Sequence, residues 1–349
     1  MTQAAPQVKH LFSPHIKTIP TRDGYGEGLV TAGKTYPRVV ALCADLTEST
    51  RTESFKTQFP DRFIEVGVAE QALVTIAAGL AAYGKIPFAA SFAIFSPGRN
   101  WEQIRTTICL NRLPVKLVGS HAGIVTGPDG ATHQALEDIA LARVLPHMTV
   151  IVPCDAPQAK KATLAAAAFP GPVYLRLTRP PTPVITTPQT PFAIGKAQIF
   201  YPQNYNSKNS YSSSARTRFS TAGGGSYDVA LIATGPLVYQ ALLAARDLEK
   251  AKIRPIVVNN HTIKPQDEST LIQIARQTGA AVTIEDHQIS AGMGSAVAEL
   301  LSQNHPIPIE FIGMSDSFGE SGQPEELLEK YGLTARHIVK AAQKVIKRK

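Results

Sequence analysis

Glu70 is the residue whose setting in this sequence most directly suggests chemistry. It opens the segment EQALVTIAAGLAAYG (70–84), which contains no other charged residue. Leu73, Ile76 and Leu80 recur at helical spacing, so the segment predicts a helix with a largely apolar surface. Burying a carboxylate is costly unless it is hydrogen-bonded or paired. Glu70 is therefore either a helix-terminus charge stabilised by the macrodipole or a buried carboxyl that binds a ligand.

A second group of polar residues follows predicted strands or precedes a predicted helix. Its members are Arg22, Asp45, Ser49, His121, Asp129, His133 and Arg179. Ligands of open α/β sheets bind beyond the carboxyl ends of the strands, so these side chains could share one site. Two arginines with a serine and a histidine could bind an anion. The alternatives are ordinary turn residues and surface ion pairs. The spacing of the histidines and aspartate fits no standard metal site, and we predict no metal ligand.

Short apolar runs that alternate with helical patterns must position these residues. Runs such as RVVALCADL (38–46) are continuous rather than alternating, which is typical of buried parallel strands. The pattern predicts an α/β protein with two doubly wound sheet domains. We place the first domain at residues 1–185 and the second at residues 227–349. Residues 186–226 form a linker and a flexible loop between them. A proline-rich strap covers residues 180–191, and the Ser-, Asn- and Gly-rich flexible loop covers 203–226.

Composition narrows the class of protein. The chain has 349 residues, a formal net charge of +8 and three cysteines without a CxxC pair. Its basic residues are scattered, so nucleic acid is not an expected partner. The first residues lack an apolar leader, and the apolar stretch at 72–84 is too short to span a bilayer. We therefore expect a cytoplasmic protein without a membrane association.

Several motifs, in order, carry a resemblance to a known family. TRDGYGEGL, ADLTEST, RFIEVGVAEQALVTIAAGLA, PFAASFAIF, HAGIVTGPDGATHQ and YLRLTRPP resemble the pyrimidine-binding domain of transketolase. DVALIATG, IRPIVVNNHTIKP, GAAVTIEDH, GMGSAVAELL and DSFGESGQPEELLEKYGLT resemble its C-terminal domain. The likeness covers nearly the whole chain except the loop at 203–226. It is strongest to the C-terminal subunit of transketolases that are split over two polypeptides.

The resemblance implies a role for each candidate residue. A glutamate at the position of Glu70 bonds N1′ of thiamine diphosphate and favours the imino tautomer, whose nitrogen takes the C2 proton. Phe92 and Phe95 match aromatic residues that pack on the aminopyrimidine, and Asp45 matches an aspartate near the cofactor. A further aromatic of many transketolases is missing, since Pro97 and Gly98 stand there. The implied donors to the sugar phosphate are Arg22, Ser49, His121 and Arg179. Asp129 would read the C2 hydroxyl, and His133 would lie beside the reacting groups.

One part of a thiamine diphosphate site is missing from the sequence. The cofactor's Mg²⁺ is held in this family by a GDG…N stretch, and neither TRDG nor GPDG has that form. The resemblance therefore implies a partner, an N-terminal subunit with the diphosphate-binding domain, in a heterotetramer of two plus two. Two enzymatic alternatives are the β subunit of a 2-oxo acid dehydrogenase and a fragment of deoxyxylulose-phosphate synthase. A third is a non-catalytic regulatory subunit. Activity of the reconstituted pair on sugar phosphates would discriminate among them.

Overall fold

The computed structural model describes residues 4–205 and 227–349, and it has the predicted α/β class with two mainly parallel sheets. The predicted flexible loop lies outside the described residues, apart from residues 203–205. The strands of the described part are β1 (Thr18–Pro20), β2 (Val39–Cys43), β3 (Phe63–Glu65), β4 (Ile86–Phe92), β5 (Lys116–Ser120), β6 (Thr149–Ile151), β7 (Val173–Arg176), β8 (Pro181–Pro183), β9 (Gln198–Tyr201), β10 (Val229–Ala233), β11 (Pro255–Asn259), β12 (Thr262–Lys264), β13 (Ala281–Gln288) and β14 (Ile309–Met314).

Helices connect most of these strands. They are α1 (Thr21–Thr35), α2 (Glu53–Gln58), α3 (Glu70–Ala82), α4 (Trp101–Gln103), α5 (Asp138–Arg143), α6 (Ala156–Ala168), α7 (Leu237–Lys250), α8 (Glu268–Thr278), α9 (Met293–Asn304), α10 (Pro324–Lys330) and α11 (Ala335–Ile346). Shorter turns of 3₁₀-helix lie at Pro60–Arg62 and Ile124–Asp129, and a π-helical segment at Ile104–Cys109 continues α4.

The first sheet has the spatial order β12-β6-β7-β5-β4-β2-β3. All its pairings are parallel except that of β12 with β6. α1 and α6 pack on one face of the sheet, and α3 packs on the other. This burial on both faces explains the continuous apolar character of its strands. Because β2, β4, β5 and β7 run the same way side by side, the loops after them meet at one edge.

The second sheet has the order β14-β13-β10-β11-β9, and β9 is its antiparallel edge strand. α7 and α11 cover one face, and α8 and α9 cover the other. The apolar core that contains α8 and α9 continues into the side of the first sheet covered by α3. The two units therefore share a packed interface.

Two pairings cross the expected division of the chain. β12 lies in the predicted second domain, yet it pairs with β6 of the first sheet through Thr262 and Ile151. β9 lies in the predicted linker, yet it pairs with β11 as the antiparallel edge strand of the second sheet. β8 pairs with β1, both within the predicted first domain, as a separate two-stranded sheet. The domain limits 1–185 and 227–349, with the linker 186–226, therefore remain a prediction. They divide the chain by sequence position, whereas the two sheets take strands from both sides of these limits.

The run HQALEDIALARVL (133–145) has a helical pattern and predicts a helix over its whole length. That prediction is wrong in length, because helical structure is confined to α5 (Asp138–Arg143). Backbone and side-chain groups just before it are bound elsewhere. The carbonyl of Ala135 accepts hydrogen bonds from Gly123 and Arg176, and Gln134 donates to the carbonyl of Glu320. These tertiary contacts hold residues 133–137 in an irregular loop despite their helical pattern.

Candidate active site

Glu70 is buried at the start of α3, with only 1% of its surface exposed. Its carboxylate contacts two side chains. Oε1 accepts a hydrogen bond of 3.2 Å from the hydroxyl of Ser91, and Oε2 lies 2.8 Å from Nη1 of Arg99. Asn100 donates to the backbone carbonyl of Glu70 at 2.9 Å. The carboxylate is therefore satisfied by specific partners as well as by the helix terminus.

Arg99 is the solvent-side partner of this carboxylate, with 49% of its side chain exposed. Its guanidinium also lies over the ring of Phe95, 4.9 Å from the ring centroid. The Glu70 carboxylate and the Phe95 ring thus border the same small region, with Arg99 between them.

Two phenylalanines and two histidines form an aromatic wall beside Glu70. Phe92 and Phe95 are stacked with 6.2 Å between ring centroids and 17° between planes. His121 lies against Phe92 at 3.9 Å, and His133 meets the ring of Phe95 edge-on at 5.6 Å. Nδ1 of His133 pairs with the hydroxyl of Thr132 at 2.9 Å. The sequence-predicted aromatic residues and both histidines therefore lie together.

A polar pocket of about 270 Å³ opens next to this wall. Its lining residues are Arg22, Glu48, Ser49, Arg51, Phe92, His121, Asp129 and Arg179. Arg22 and Arg179, which we expected to share one anion site, both line it. Arg22 lies in the first turn of α1 and not before the helix, as the sequence had suggested. We refer to this space as the anion pocket, because three guanidinium groups line it.

His121 is held as a neutral ring in the anion pocket. Burial, and then the nearby arginines Arg22 and Arg179, lower its pKa to about 3. Arg22 Nη1, which can only donate, lies 3.3 Å from His121 Nε2, so Nε2 is the acceptor. The proton then belongs on Nδ1, which lies 3.0 Å from the hydroxyl of Ser120. His121 can accept a hydrogen bond here but contributes no charge.

The remaining predicted residues divide between the pocket and its margin. Asp129 accepts a hydrogen bond of 2.9 Å from Nη1 of Arg179. The backbone carbonyl of Ser49 accepts one of 2.9 Å from Arg22. Asp45 is exposed with a left-handed φ of 56° and does not line the pocket. Its backbone N–H donates to Glu65 at 2.7 Å, which fixes the start of the loop after β2.

The second unit braces the loop that carries His121, Asp129 and His133. Asp286, at the end of β13, accepts hydrogen bonds from the backbone N–H groups of Ile124 and Val125 at 2.8 and 3.5 Å. Gly123 has a φ of 86°, and a Cβ there would lie 2.0 Å from Oδ2 of Asp286. Only glycine allows this close approach of loop and carboxylate.

Two buried side chains complete the brace. Gln134 donates to the carbonyls of Ile124 and Glu320 at 3.1 and 2.9 Å, which ties the loop to the segment before α10. Arg176 pairs with Asp138 at 2.8 Å and donates to the backbone carbonyl of Asp286 at 2.8 Å. The C-terminal half of the chain therefore helps to define the geometry of the pocket.

Sequence reasoning missed five residues at the site. They are Glu48, Arg51, Ser91, Arg99 and Asn100. Four of them, all except Ser91, follow the carboxyl ends of β2 and β4, so the rule that placed Asp45 and Ser49 could have found them. Ser91 lies within a buried strand, where nothing in the sequence marks a serine as a carboxylate donor.

Residues 4–205 and 227–349 contain neither a membrane-spanning helix nor a cluster of metal-binding side chains. No helix there is both long and apolar enough to cross a bilayer. No group of three or more His, Cys, Asp or Glu side chains could hold a metal ion within those ranges.

Comparison with known proteins identifies the family. The transketolase pyrimidine-binding domain model matches residues 17–184, and the transketolase C-terminal domain model matches residues 224–338. A 6-deoxy-6-sulfo-D-fructose transketolase subunit from Clostridium sp. is 40% identical over 94% of this chain and 95% of its own. The chain belongs to the transketolase family. A putative transketolase C-terminal section from Methanocaldococcus jannaschii is 41% identical over 94% of this chain and 96% of its own.

Solved transketolases share the fold. A split-gene transketolase, described as an inactive β4 tetramer, superposes with a TM-score of 0.82 and 44% identity, covering 94% of this chain and 99% of the other. The transketolase of Campylobacter jejuni has a TM-score of 0.75 and 24% identity, and this chain covers 47% of it. Transketolase relatives thus include chains of this length and chains about twice as long. The aromatic wall and the anion pocket lie in the part of the chain that matches the pyrimidine-binding domain.

Proposed function

We propose that this protein is the C-terminal subunit of a thiamine diphosphate-dependent transketolase, which transfers a two-carbon ketol unit between phosphorylated sugars. One observation carries the proposal: a buried carboxylate, two stacked aromatic rings and a polar anion pocket lie side by side at one sheet edge. The family shown above performs chemistry that needs these three features. We place the protein in the cytoplasm and its reaction in the pentose phosphate pathway.

The residues present fit an aminopyrimidine ring. Such a ring offers a flat face and a ring nitrogen, N1′. Phe92 and Phe95 offer aromatic faces, and the buried Glu70 offers a carboxyl that borders the same region through Arg99. When bound, thiamine diphosphate supplies the carbanion chemistry of the transfer. We assign the side of the site near Asp45 to the cofactor as well, as the resemblance implies.

Each residue of this chain then has a defined task. Glu70 shares a proton with N1′, and its buried setting strengthens that hydrogen bond. His133 lies beside the aromatic wall, where it can exchange a proton with the substrate's carbonyl or hydroxyl oxygen. Asp129 accepts a hydrogen bond from the C2 hydroxyl. His133 acts on the reacting groups of the sugar, and Asp129, which also lines the anion pocket, acts on the C2 hydroxyl between those groups and the phosphate end.

The anion pocket takes the other end of the sugar. Arg22 and Arg179 provide charge-assisted donors to a terminal phosphate, together with the hydroxyl of Ser49. The neutral His121 acts through Arg22, whose guanidinium it orients by accepting a hydrogen bond from Nη1. A phosphate bound in this pocket, at the end of the sugar away from the reacting carbons, orients the substrate in both ground and transition states. This pocket argues against a 2-oxo acid dehydrogenase, whose substrate has no sugar phosphate.

We assign the diphosphate and Mg²⁺ to an N-terminal partner subunit. The relatives that this chain matches over nearly their whole length are a transketolase subunit and a C-terminal section, and the similar solved chain is an inactive β4 tetramer. A chain of this kind that is inactive alone is consistent with a site completed by a partner. We propose an assembly of two subunits of each kind.

Reconstitution tests the proposal. The chain alone should show no transfer from xylulose 5-phosphate to ribose 5-phosphate, and it should bind thiamine diphosphate weakly. Addition of a partner that carries the GDG…N stretch should restore both Mg²⁺-dependent binding and turnover. If calorimetry shows tight, Mg²⁺-dependent cofactor binding by this chain alone, the assignment of the diphosphate and Mg²⁺ to a partner subunit is wrong. A reconstituted pair that binds cofactor but lacks ketol transfer would favour the regulatory alternative.

A further inference from the structure

Arg51 lines the anion pocket, although neither the sequence motifs nor the assignments above give it a task. We propose that Arg51, held in place by Asp23, makes the pocket select sugars by the charge of their terminal group and favours a phosphate dianion over a singly charged group. This inference rests on the proposed transketolase function, and it concerns how the same site distinguishes substrates by the charge of their terminal group.

The position of Arg51 is fixed from two sides. Its Nε donates to Oδ1 of Asp23 at 2.7 Å, and its Nη1 donates to the carbonyl of Glu48 at 3.3 Å. Its backbone is left-handed, with a φ of 63°. Few non-glycine residues adopt that conformation, and it persists where surrounding contacts hold it.

A glycine in α1 allows this conformation. A Cβ at Gly26 would lie 2.9 Å from both the Cβ and the carbonyl oxygen of Arg51. Any larger residue at position 26 would push the loop after β2 away from α1. The loop after β2 therefore packs directly on α1, the helix that also carries Arg22 and Asp23. This packing fixes the position of Arg51 relative to those two side chains.

The three arginines of the pocket share one pattern of contacts. Nη1 of Arg22 donates hydrogen bonds to the carbonyl of Ser49 and to Nε2 of His121. Nη1 of Arg179 donates one to the carboxylate of Asp129. Within the described ranges, the Nη2 groups of Arg22, Arg51 and Arg179 make no hydrogen bond. Each guanidinium is thus held through Nε or Nη1, and its Nη2 group can donate hydrogen bonds to an anion.

The charges around the pocket are not evenly spread. Asp23 and Asp129 each pair with an arginine, and the carboxylate of Glu48 also lines the pocket. Arg22 has no carboxylate partner within the described ranges. Burial, and then the positive charge of Arg51, lower the pKa of Arg22. The charge of Arg51 therefore acts on the site of Arg22, where the anion would bind.

The contribution of Arg51 should scale with the charge of the ligand. Coulomb energy is proportional to that charge, and a phosphate ester carries about −1.5 to −2 at pH 7, against about −1 for a sulfonate. A hydroxyl or a hydrogen at the same position carries none. Removal of Arg51 should therefore lose about twice as much binding free energy for a phosphate as for a sulfonate. The fold-decrease in kcat/KM depends exponentially on that free energy, so the decrease for the phosphate should be about the square of the decrease for the sulfonate.

Three donor substrates test this with the reconstituted enzyme and the Arg51→Gln variant. They are fructose 6-phosphate, 6-deoxy-6-sulfofructose and hydroxypyruvate. We expect kcat/KM to fall about tenfold or more for the phosphate and about threefold for the sulfonate, mainly through KM, with about twofold or less for hydroxypyruvate. Arg112→Gln is the control, because Arg112 is exposed, is also left-handed with a φ of 53°, and lies outside the pocket.

Asp23→Asn provides a second variant, which keeps the guanidinium but weakens its anchor and removes a negative charge beside the pocket. These two effects on an anion have opposite signs, so its loss on the phosphate donor should be clearly smaller than that of Arg51→Gln. Equal losses on all three donors, or an unchanged phosphate KM in Arg51→Gln, would overturn the assignment of Arg51. A wild-type pair that uses none of the donors would instead refute the proposed function, so the two failures are distinguishable.

Discussion

Nη1 of Arg99 lies 2.8 Å from Oε2 of Glu70, and the same guanidinium covers the ring of Phe95. The carboxylate is 1% exposed, whereas the Arg99 side chain is 49% exposed. Arg99 therefore neutralises a charge that water reaches poorly, and it does so from the side on which we place the cofactor. Two predictions concern this pair.

Glu70→Gln should remove the proton relay and keep the shape of the side chain. Loss of general acid–base help typically costs about 10²–10⁴-fold, and we expect the upper part of that range in kcat of the reconstituted enzyme. Excess thiamine diphosphate should restore little of the loss. A helix-terminus charge without a catalytic role predicts instead a stability change below about 1 kcal/mol. Turnover within about threefold of wild type would decide for that structural role.

Arg99→Gln should destabilise the chain by leaving a buried carboxylate without its counter-ion. An unpaired buried charge costs several kcal/mol, but Arg99 is half exposed and water can replace part of it, so we expect about 1–3 kcal/mol. The double variant Glu70→Gln/Arg99→Gln should recover much of that free energy, since no charge is left unpaired. Urea unfolding of the four proteins measures this coupling. Additive losses would show that the two side chains do not interact in solution.

Arg22→Ala and Arg179→Ala should each raise KM for phosphorylated sugars and leave kcat nearly unchanged. Removal of one partner from a desolvated ionic contact costs about 2–5 kcal/mol, and at this partly open pocket we expect the low end, a rise of about 30-fold. Hydroxypyruvate, which has no phosphate, should react at a nearly unchanged rate. Arg105→Ala is the control, because Arg105 is exposed outside the pocket. Equal weakening on both kinds of substrate would make these arginines structural.

Asp286→Ala should impair the active site from the second unit. It leaves the N–H groups of Ile124 and Val125 without the acceptor that holds their loop. Because misplacement by about 1 Å can cost 10²-fold, we expect kcat/KM to fall about 10–100-fold for donors with and without a phosphate. Asp286→Asn retains one carbonyl oxygen and should recover most of the activity. Asp247→Ala, on the surface of α7, should have no effect. A lower melting temperature with normal kinetics would limit Asp286 to a structural role.

Three buried histidines should make the fold less stable in mild acid. Burial lowers the pKa of His121 and His261 to about 3 and that of His287 to about 4. The unfolded chain protonates these rings near pH ~6.5 and the native chain does not, so stability is lost as pH falls below that value. Burial raises the pKa of Glu285 to about 7, which opposes the effect.

Burial also raises the pKa of Glu137, Asp155 and Asp286, which act in the same direction as Glu285. We expect the free energy of unfolding to fall between pH ~6.5 and ~5.5, because the unfolded chain takes up protons on all three rings in that interval and their effect outweighs that of the carboxyls. Urea midpoints of the full chain at these two pH values measure it. His147→Gln, at an exposed histidine, should leave the profile unchanged. A midpoint that stays constant or rises on acidification would contradict this accounting.

The sequence by itself determined the fold class and most of the candidate site. Short continuous apolar runs that alternate with helical patterns favour buried strands of a covered sheet, and the carboxyl ends of parallel strands share one edge. That rule placed Ser49, His121 and Arg179 together, although they are far apart in the chain. Glu70 stood out because an isolated carboxylate in an apolar segment needs a partner.

Only the tertiary structure decided which partners these residues have. Ser91 and Arg99 reach Glu70 from another strand and its following loop, and Asp23 orients Arg51 across an interface between α1 and the loop after β2. Local sequence patterns do not predict such contacts, because the contacts depend on how separate helices, strands and loops pack against one another. The same holds for β12, which joins the first sheet from the second half of the chain, and for the short α5, whose helical pattern yields to bonds made by Gln134 and Ala135. Sequence periodicity reports which face of an element is buried, whereas hydrogen bonds between distant elements are fixed only once the whole chain has folded.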